Sequence, residues 1–199
     1  MKTRRSVLSL LGVGLLLCGC ATKVDRMAVE DVKDLSGRWN DTDSQLVSEE
    51  MIRDCINRPW VPEFAAKENR KPVVIVGTVR NLSSEHIETL TFTTDLEREL
   101  INSGKVKFVA NPLQRLELRQ ERKEQQAFAR EETAKRLAAE TGADYMLKGA
   151  IKTIRDKEGR KEVKFYQVDL EMLHIESNEK VWIGTKKIKK FVKKARINW

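Results

Sequence analysis

Two hydrophobic rhythms divide this chain. Val47, Met51 and Cys55 recur at helical spacing with Ile52 and Ile56 beside them. They predict a helix that starts at an N-cap on Asp43 or Ser44 and ends at Pro59. Trp60, Val61 and Phe64 then supply an apolar anchor against the domain. The unbroken run Val73–Val79, mostly β-branched, reads as a strand covered on both faces. Phe92, Leu96 and Leu100 form a second helical stripe, closed by Ser103-Gly104. Val106–Ala110 is a short strand broken by Asn111-Pro112. Residues 113–141 read as two helices or one kinked helix, with Leu113, Leu116 and Phe128 on one apolar face and Ala134, Leu137 and Ala138 on another.

From Tyr145 the rhythm changes to two. Tyr145–Arg155, Val163–Ile175 and Val181–Ile188 predict three strands, joined by turns at Asp156–Gly159 and Ser177-Asn178. In the second strand Tyr166, Val168, Leu170 and Met172 alternate with Phe165, Gln167, Asp169 and Glu171. The whole order predicts an α+β, two-layer domain: a mixed sheet ending in an antiparallel three-strand meander, with helices packed mainly on one face.

The start of the chain follows neither rhythm. Lys2, Arg4 and Arg5 precede the apolar stretch Val7–Leu17, the anatomy of a secretory leader and too short for a permanent membrane span. Leu17-Cys18-Gly19-Cys20 resembles the bacterial lipobox, which implies acylation of Cys20 and cleavage in front of it. Each buried acyl methylene adds roughly 0.8 kcal/mol of membrane affinity, so several chains anchor firmly. The expected organisation is a signal peptide at 1–19, the lipidated cysteine and a flexible tether at 20–42, and a globular domain at 43–199.

Charge and cysteine content narrow the chemistry. The net charge of the full chain is +8, and the leader removes three basic residues and no acidic ones. An exported chain has no nucleic acid to meet, so this excess points to an acidic protein, an anionic lipid surface or an anionic wall polymer. With Cys18 lost and Cys20 acylated, Cys55 stands alone and no intramolecular disulfide forms; it reads as a small buried hydrophobe. No phosphate loop, Gly-x-Ser-x-Gly elbow or His-Glu-x-x-His helix is present. The only histidines, His86 and His174, lie far apart, and no cofactor, metal or catalytic set is expected. Asp144 reads as a turn residue. The sequons at Asn40 and Asn81 are discounted, because a lipobox implies a bacterial chain.

Exposed loops and edges are what such a domain offers a partner. The loop after the first strand (Arg80, Asn81, His86) and the lysine-rich final strand (Lys187, Lys189) are therefore the candidate partner-binding residues. The basic end, Lys186 to Arg196, reads either as a solvated edge strand protected by lysines or as a contact for acidic headgroups, wall polymer or an acidic partner.

Several stretches, taken in their order and spacing, carry a family resemblance. They are Gly37-Arg38-Trp39-Asn40-Asp41-Thr42-Asp43-Ser44, Asp54-Cys55 to Arg58-Pro59-Trp60, Gly77-Thr78-Val79-Arg80-Asn81 and His86-Ile87-Glu88-Thr89. Ser103 to Val109, Gly142 to Gly149, Tyr166-Gln167-Val168 and Lys180-Val181-Trp182 continue the pattern. Together they resemble the LpoB family, lipoprotein activators of class A penicillin-binding proteins. The resemblance implies a fold like the N-terminal domain of TolB and a monomeric outer-membrane lipoprotein facing the periplasm. It also implies a non-catalytic role, binding and stimulating a bifunctional peptidoglycan synthase. Enteric members carry a Pro-rich segment after the lipidated cysteine, whereas residues 21–42 hold no proline. Ala21 stands where an inner-membrane retention signal has Asp, which favours the outer membrane. A structural lipoprotein of an envelope assembly or secretion complex (TolB- or CsgG-like) is the alternative, followed by a wall- or lipid-binding module.

Overall fold

Asn40, not Asp43 or Ser44, begins the first helix. In the computed structural model, which describes residues 27–28, 34–110, 112–128 and 142–193, α1 spans Asp41–Ile56. Asn40 and Asp43 close a capping box: the Asp43 N–H donates to Asn40 Oδ1 and the Asn40 N–H donates to Asp43 Oδ2, both at 3.0 Å. Asp43 is thus the third residue of the helix, and Ser44 is buried within its first turn. Both residue types cap well, so composition alone left the start undecided. Val47, Met51, Ile52 and Cys55 are buried as their spacing predicts.

Two units are distinguished along the chain, Met1–Asp31 and Val32–Trp199. Of the first, Met27 and Ala28 are described, both exposed and without regular structure. In the second, packing starts ahead of the expected boundary at residue 43. Gly37 is buried, and the Trp39 ring meets Phe92 and Tyr166 edge-on at 5.9 and 5.8 Å between centroids.

The apolar anchor forms a short helix, α2 (Trp60–Glu68). The indole of Trp60 donates to the Cys55 carbonyl at 2.8 Å, and Trp60 and Phe64 pack on the Tyr145 ring. β1 (Val73–Asn81) is an interior strand of a five-stranded sheet of order β2-β1-β3-β4-β5, where β2 is Lys107–Phe108 and β3 is Tyr145–Glu158. β4 spans Lys161–His174 and β5 spans Lys180–Lys193. β1 runs parallel to β2 and β3, and β3, β4 and β5 form the expected antiparallel meander. α3 (Thr89–Asn102) buries Phe92, Leu96 and Leu100 completely and is followed by Gly104 at a φ of 64°.

α1 packs on α3, and together they cover one sheet face, α3 over β1 and β2 and α1 over β4 and β5. Register places Leu147, Ile151, Tyr166, Val168, Leu170, Met172 and Trp182 on that helix face. β1 is covered less completely than its composition suggests. Val73, Val74 and Val79 are buried, but Ile75, Val76 and Gly77 are half-buried and Thr78 is exposed beside a bulge. α4 spans Pro112–Phe128, with Leu116 and Leu118 exposed. The expected Ala134, Leu137 and Ala138 stripe lies outside the described residues. The final strand runs past Ile188 to Lys193, so part of the basic tail is regular sheet.

Candidate functional site

The helix face ends in a buried ionic knot rather than in hydrocarbon. Even-numbered positions of β4 face the helices, which buries Lys164 and Glu162 on that side of the sheet. Lys164 Nζ lies 2.8 Å from Glu85 Oε1, with side chains only 5% and 7% exposed. Glu85 Oε2 accepts from the Tyr166 hydroxyl at 2.6 Å and from the Trp39 N–H at 3.4 Å. Burial pushes the Glu85 carboxyl up, yet Lys164 and Tyr166 hold it below the usual range, while burial and Glu85 push the Tyr166 phenol up. Beside this knot, Lys190 Nζ reaches Asp43 at 2.6 Å, Asp34 at 2.7 Å and the Arg38 carbonyl at 3.2 Å. Burial opposes the Lys190 charge, and the two aspartates more than restore it. The arrangement fastens residues 34–43 to β4 and β5.

The sequence-derived candidates fall in separate places. Asn81 is half-buried and turned inward: its Nδ2 donates to the Glu85 carbonyl at 2.8 Å, and its Oδ1 accepts from the Ser83 N–H and hydroxyl. That is loop architecture. His86 is exposed beside the knot and lines a cavity with Arg38, Arg155, Lys164 and Lys193. Arg80 is exposed on the face opposite the helices, in a depression floored by Gly149 and Ala150 and rimmed by Lys148, Lys152 and Ile183. Lys187 and Lys189 are exposed on that same open face, on β5. The fold therefore sets Arg80, Lys187 and Lys189 on one sheet face, the lysines three strands away from Arg80, and puts His86 elsewhere.

Sequence reasoning missed three features. Glu162 and Lys164 occupy the buried register of β4, and the two-residue period continued backward from Tyr166 was the available signal. The second is Asp144, which is more than a turn residue. Arg70 grips both its carboxylate oxygens at 2.7 Å, and Oδ2 accepts from the Val73 N–H at 2.8 Å. Burial pushes this carboxyl up, and Arg70 and the Val73 amide outweigh it, leaving it below the ordinary range. The third is Asp54 on α1, which accepts from the Trp182 indole at 2.8 Å and pairs with Arg58; the indole bond leads in holding its pKa down.

Among the described residues no group of His, Cys, Asp and Glu could hold a metal ion, and no helix is long and apolar enough to cross a membrane. Cys55 is free and buried, and burial pushes its thiol up, away from nucleophilic use. What the folded unit presents is surface: an open sheet face, a lysine-rich edge strand and a polar loop.

The chain belongs to the family described as the peptidoglycan-synthase activator LpoB, whose model matches residues 43–188. Among solved structures it is similar to the LpoB C-terminal domain from Salmonella enterica, with 18% identity, 66% of this chain and 94% of that chain covered, and a TM-score of 0.33. The LpoB C-terminal domain from Escherichia coli shows 18% identity, coverage of 65% and 95%, and a TM-score of 0.35. A lipoprotein from Neisseria meningitidis shows 10% identity, coverage of 60% and 83%, and a TM-score of 0.40. No curated protein sequence matches the chain.

Proposed function

We propose that this protein is an outer-membrane lipoprotein, anchored through acylated Cys20 and facing the periplasm, that binds and activates a bifunctional class A penicillin-binding protein. The carrying observation is the family match across residues 43–188, nearly the whole of the packed unit. The domain catalyses nothing itself and acts as a monomer. It favours an active conformation of the synthase, and shifts that population by no more than its difference in affinity for the two states. Residues between Cys20 and the packed segment at 34 serve as the tether.

The test is glycan-chain synthesis from lipid II by the organism's class A synthases, with and without purified residues 21–199. Stimulation of one synthase and not another is the expected result and identifies the partner. A competent synthase left unstimulated by the folded domain overturns the activator reading. Membrane fractionation of Cys20→Ser tests the anchor: the variant should leave the outer-membrane fraction, and retention there would refute lipidation at Cys20.

A further inference from the structure

The lysines of β5 are divided by the two-residue period of the strand. Lys186 and Lys190 face the helices and are neutralised, Lys186 by Glu50 and Lys190 by Asp34 and Asp43. Lys187, Lys189 and Lys193 face the open side, all exposed, and none makes an ion pair or hydrogen bond among the described residues. Phe191 sits among them, 65% exposed. Register sets it beside Val163, in the row next to Phe165 and Ile154, and Ile154 is itself 68% exposed. β5 is also an edge: among the described residues it pairs with β4 and nothing else, over a fourteen-residue strand. A long edge with unpaired backbone groups is a template for another strand, and an exposed apolar cluster marks a place where something docks.

Charge and backbone chemistry choose the occupant. A second copy pairing through β5 would set lysine rows against each other, and like charges on neighbouring strands destabilise. A lipid surface would satisfy the lysines and Phe191, but inserting the edge into hydrocarbon strands its outer N–H and C=O groups. An extended acidic polypeptide satisfies all three features together. We propose that the outer edge of β5 is a docking site for an extended acidic segment of a partner protein, which adds to the sheet as a sixth strand. On the open face its carboxylates lie beside Lys187, Lys189 and Lys193, with an apolar side chain against Phe191. This goes beyond the synthase reading, since the site is defined by its chemistry and stands whichever protein supplies the segment.

The test uses residues 21–199 and synthetic peptides of about ten residues, so it is independent of synthase activity. A labelled peptide alternating Glu and Val should bind, more weakly at high salt, and its Lys-Val counterpart should not. Two further peptides, N-methylated at every Glu or at every Val, keep the charge and remove the backbone donors of one strand edge each. One methylation phase should abolish binding and the other leave it, with β5 amides gaining hydrogen-exchange protection in the complex. The pair Lys187→Glu and Lys189→Glu should weaken binding about tenfold or more. Lys187→Gln with Lys189→Gln, a milder change, should weaken it less, and unchanged thermal melts establish that both variants fold. Equal binding of both methylated peptides shows plain charge adhesion and overturns the proposal. So does failure of the Glu-Val peptide to bind, whether the domain then self-associates or binds phosphatidylglycerol vesicles instead.

Discussion

Lys164 and Glu85, 79 positions apart, form an ion pair at 2.8 Å with both side chains withdrawn from water. Such a pair is weak evidence of net stabilisation, because desolvating two charges offsets most of their attraction. Its consequence lies in what happens when one partner is lost. Glu85→Gln leaves the Lys164 ammonium buried without a counter-charge, and Lys164→Met leaves the carboxylate so. Each single variant should lose about 3–5 kcal/mol in urea melts, and the double variant should lose much less than their sum. Additive losses would show that the two side chains do not act as a pair.

Acid should loosen the domain through the same residue. Glu85 and Asp144 titrate below their ordinary values in the folded state. Each therefore contributes stability that is fully present above its unfolded pKa, about 4.3 for Glu and 3.9 for Asp. That contribution is lost as pH falls through the depressed native value. Asp43 works in the opposite direction: burial raises its pKa over the pull of Lys190, so its protonation partly offsets the loss. Urea midpoints should fall as pH drops below about 5, with a shallower fall in Glu85→Gln. An identical acid limb in that variant would exclude Glu85 as a contributor.

Much of this domain was legible because local pattern and tertiary burial agree. The stripe Phe92, Leu96 and Leu100 and the alternation Tyr166, Val168, Leu170 and Met172 are buried as their spacing requires. What stayed hidden depends on partners distant in sequence. Lys190 reads as one more solvated edge lysine until α1 and Asp34 are brought beneath it. Asp144 reads as a turn residue until Arg70 arrives from 74 positions away. Trp39 looks like tether because its neighbours are polar, and only the folded sheet supplies Phe92 and Tyr166 to receive its ring. The candidate surface was half legible for the same reason. Exposure of Lys187 and Lys189 follows from strand period, whereas the inward turn of Asn81 is set by Ser83 and Glu85.

Asp144 should matter more than the arginine that grips it. Arg70 is partly exposed and lies 4.9 Å over the Phe64 ring, so Arg70→Ala forfeits only a solvent-screened ion pair and a stacking contact, a small loss. Asp144→Ala also strips the acceptor from the Val73 N–H at the start of a buried strand, adding about 1–3 kcal/mol. Urea denaturation should rank the variants in that order. The reverse order would mean that the amide bond to Val73 contributes little.

Gly149 on β3 sits opposite Leu170 on β4. A Cβ there would collide with the Asp169 carbonyl oxygen and a Leu170 methyl. The first is backbone in the middle of an antiparallel ladder and has no room to yield. Gly149→Ala should destabilise by about 1–3 kcal/mol or more, whereas Gly104→Ser, in open space, should cost only the strain of a positive φ. Thermal melts of the two variants compare the causes: equal losses would mean that the ladder gives way and that the clash at Gly149 costs no more than the strain at Gly104.

Cys55 provides a built-in reporter of unfolding. In residues 21–199 it is the sole cysteine, since Cys18 and Cys20 lie ahead of that segment. The side chain is wholly buried on α1, and burial, with a smaller push from Asp54, raises the thiol's pKa and keeps the reactive thiolate scarce. Modification by a thiol reagent at neutral pH should therefore wait for the domain to open and follow the population of the unfolded state measured in urea. Glu85→Gln, which destabilises the fold without touching Cys55, should accelerate labelling in proportion to its lost stability. Rapid labelling of the folded domain, insensitive to that substitution, would mean that the α1 stripe opens locally and that the core around Cys55 is not part of the cooperative unit.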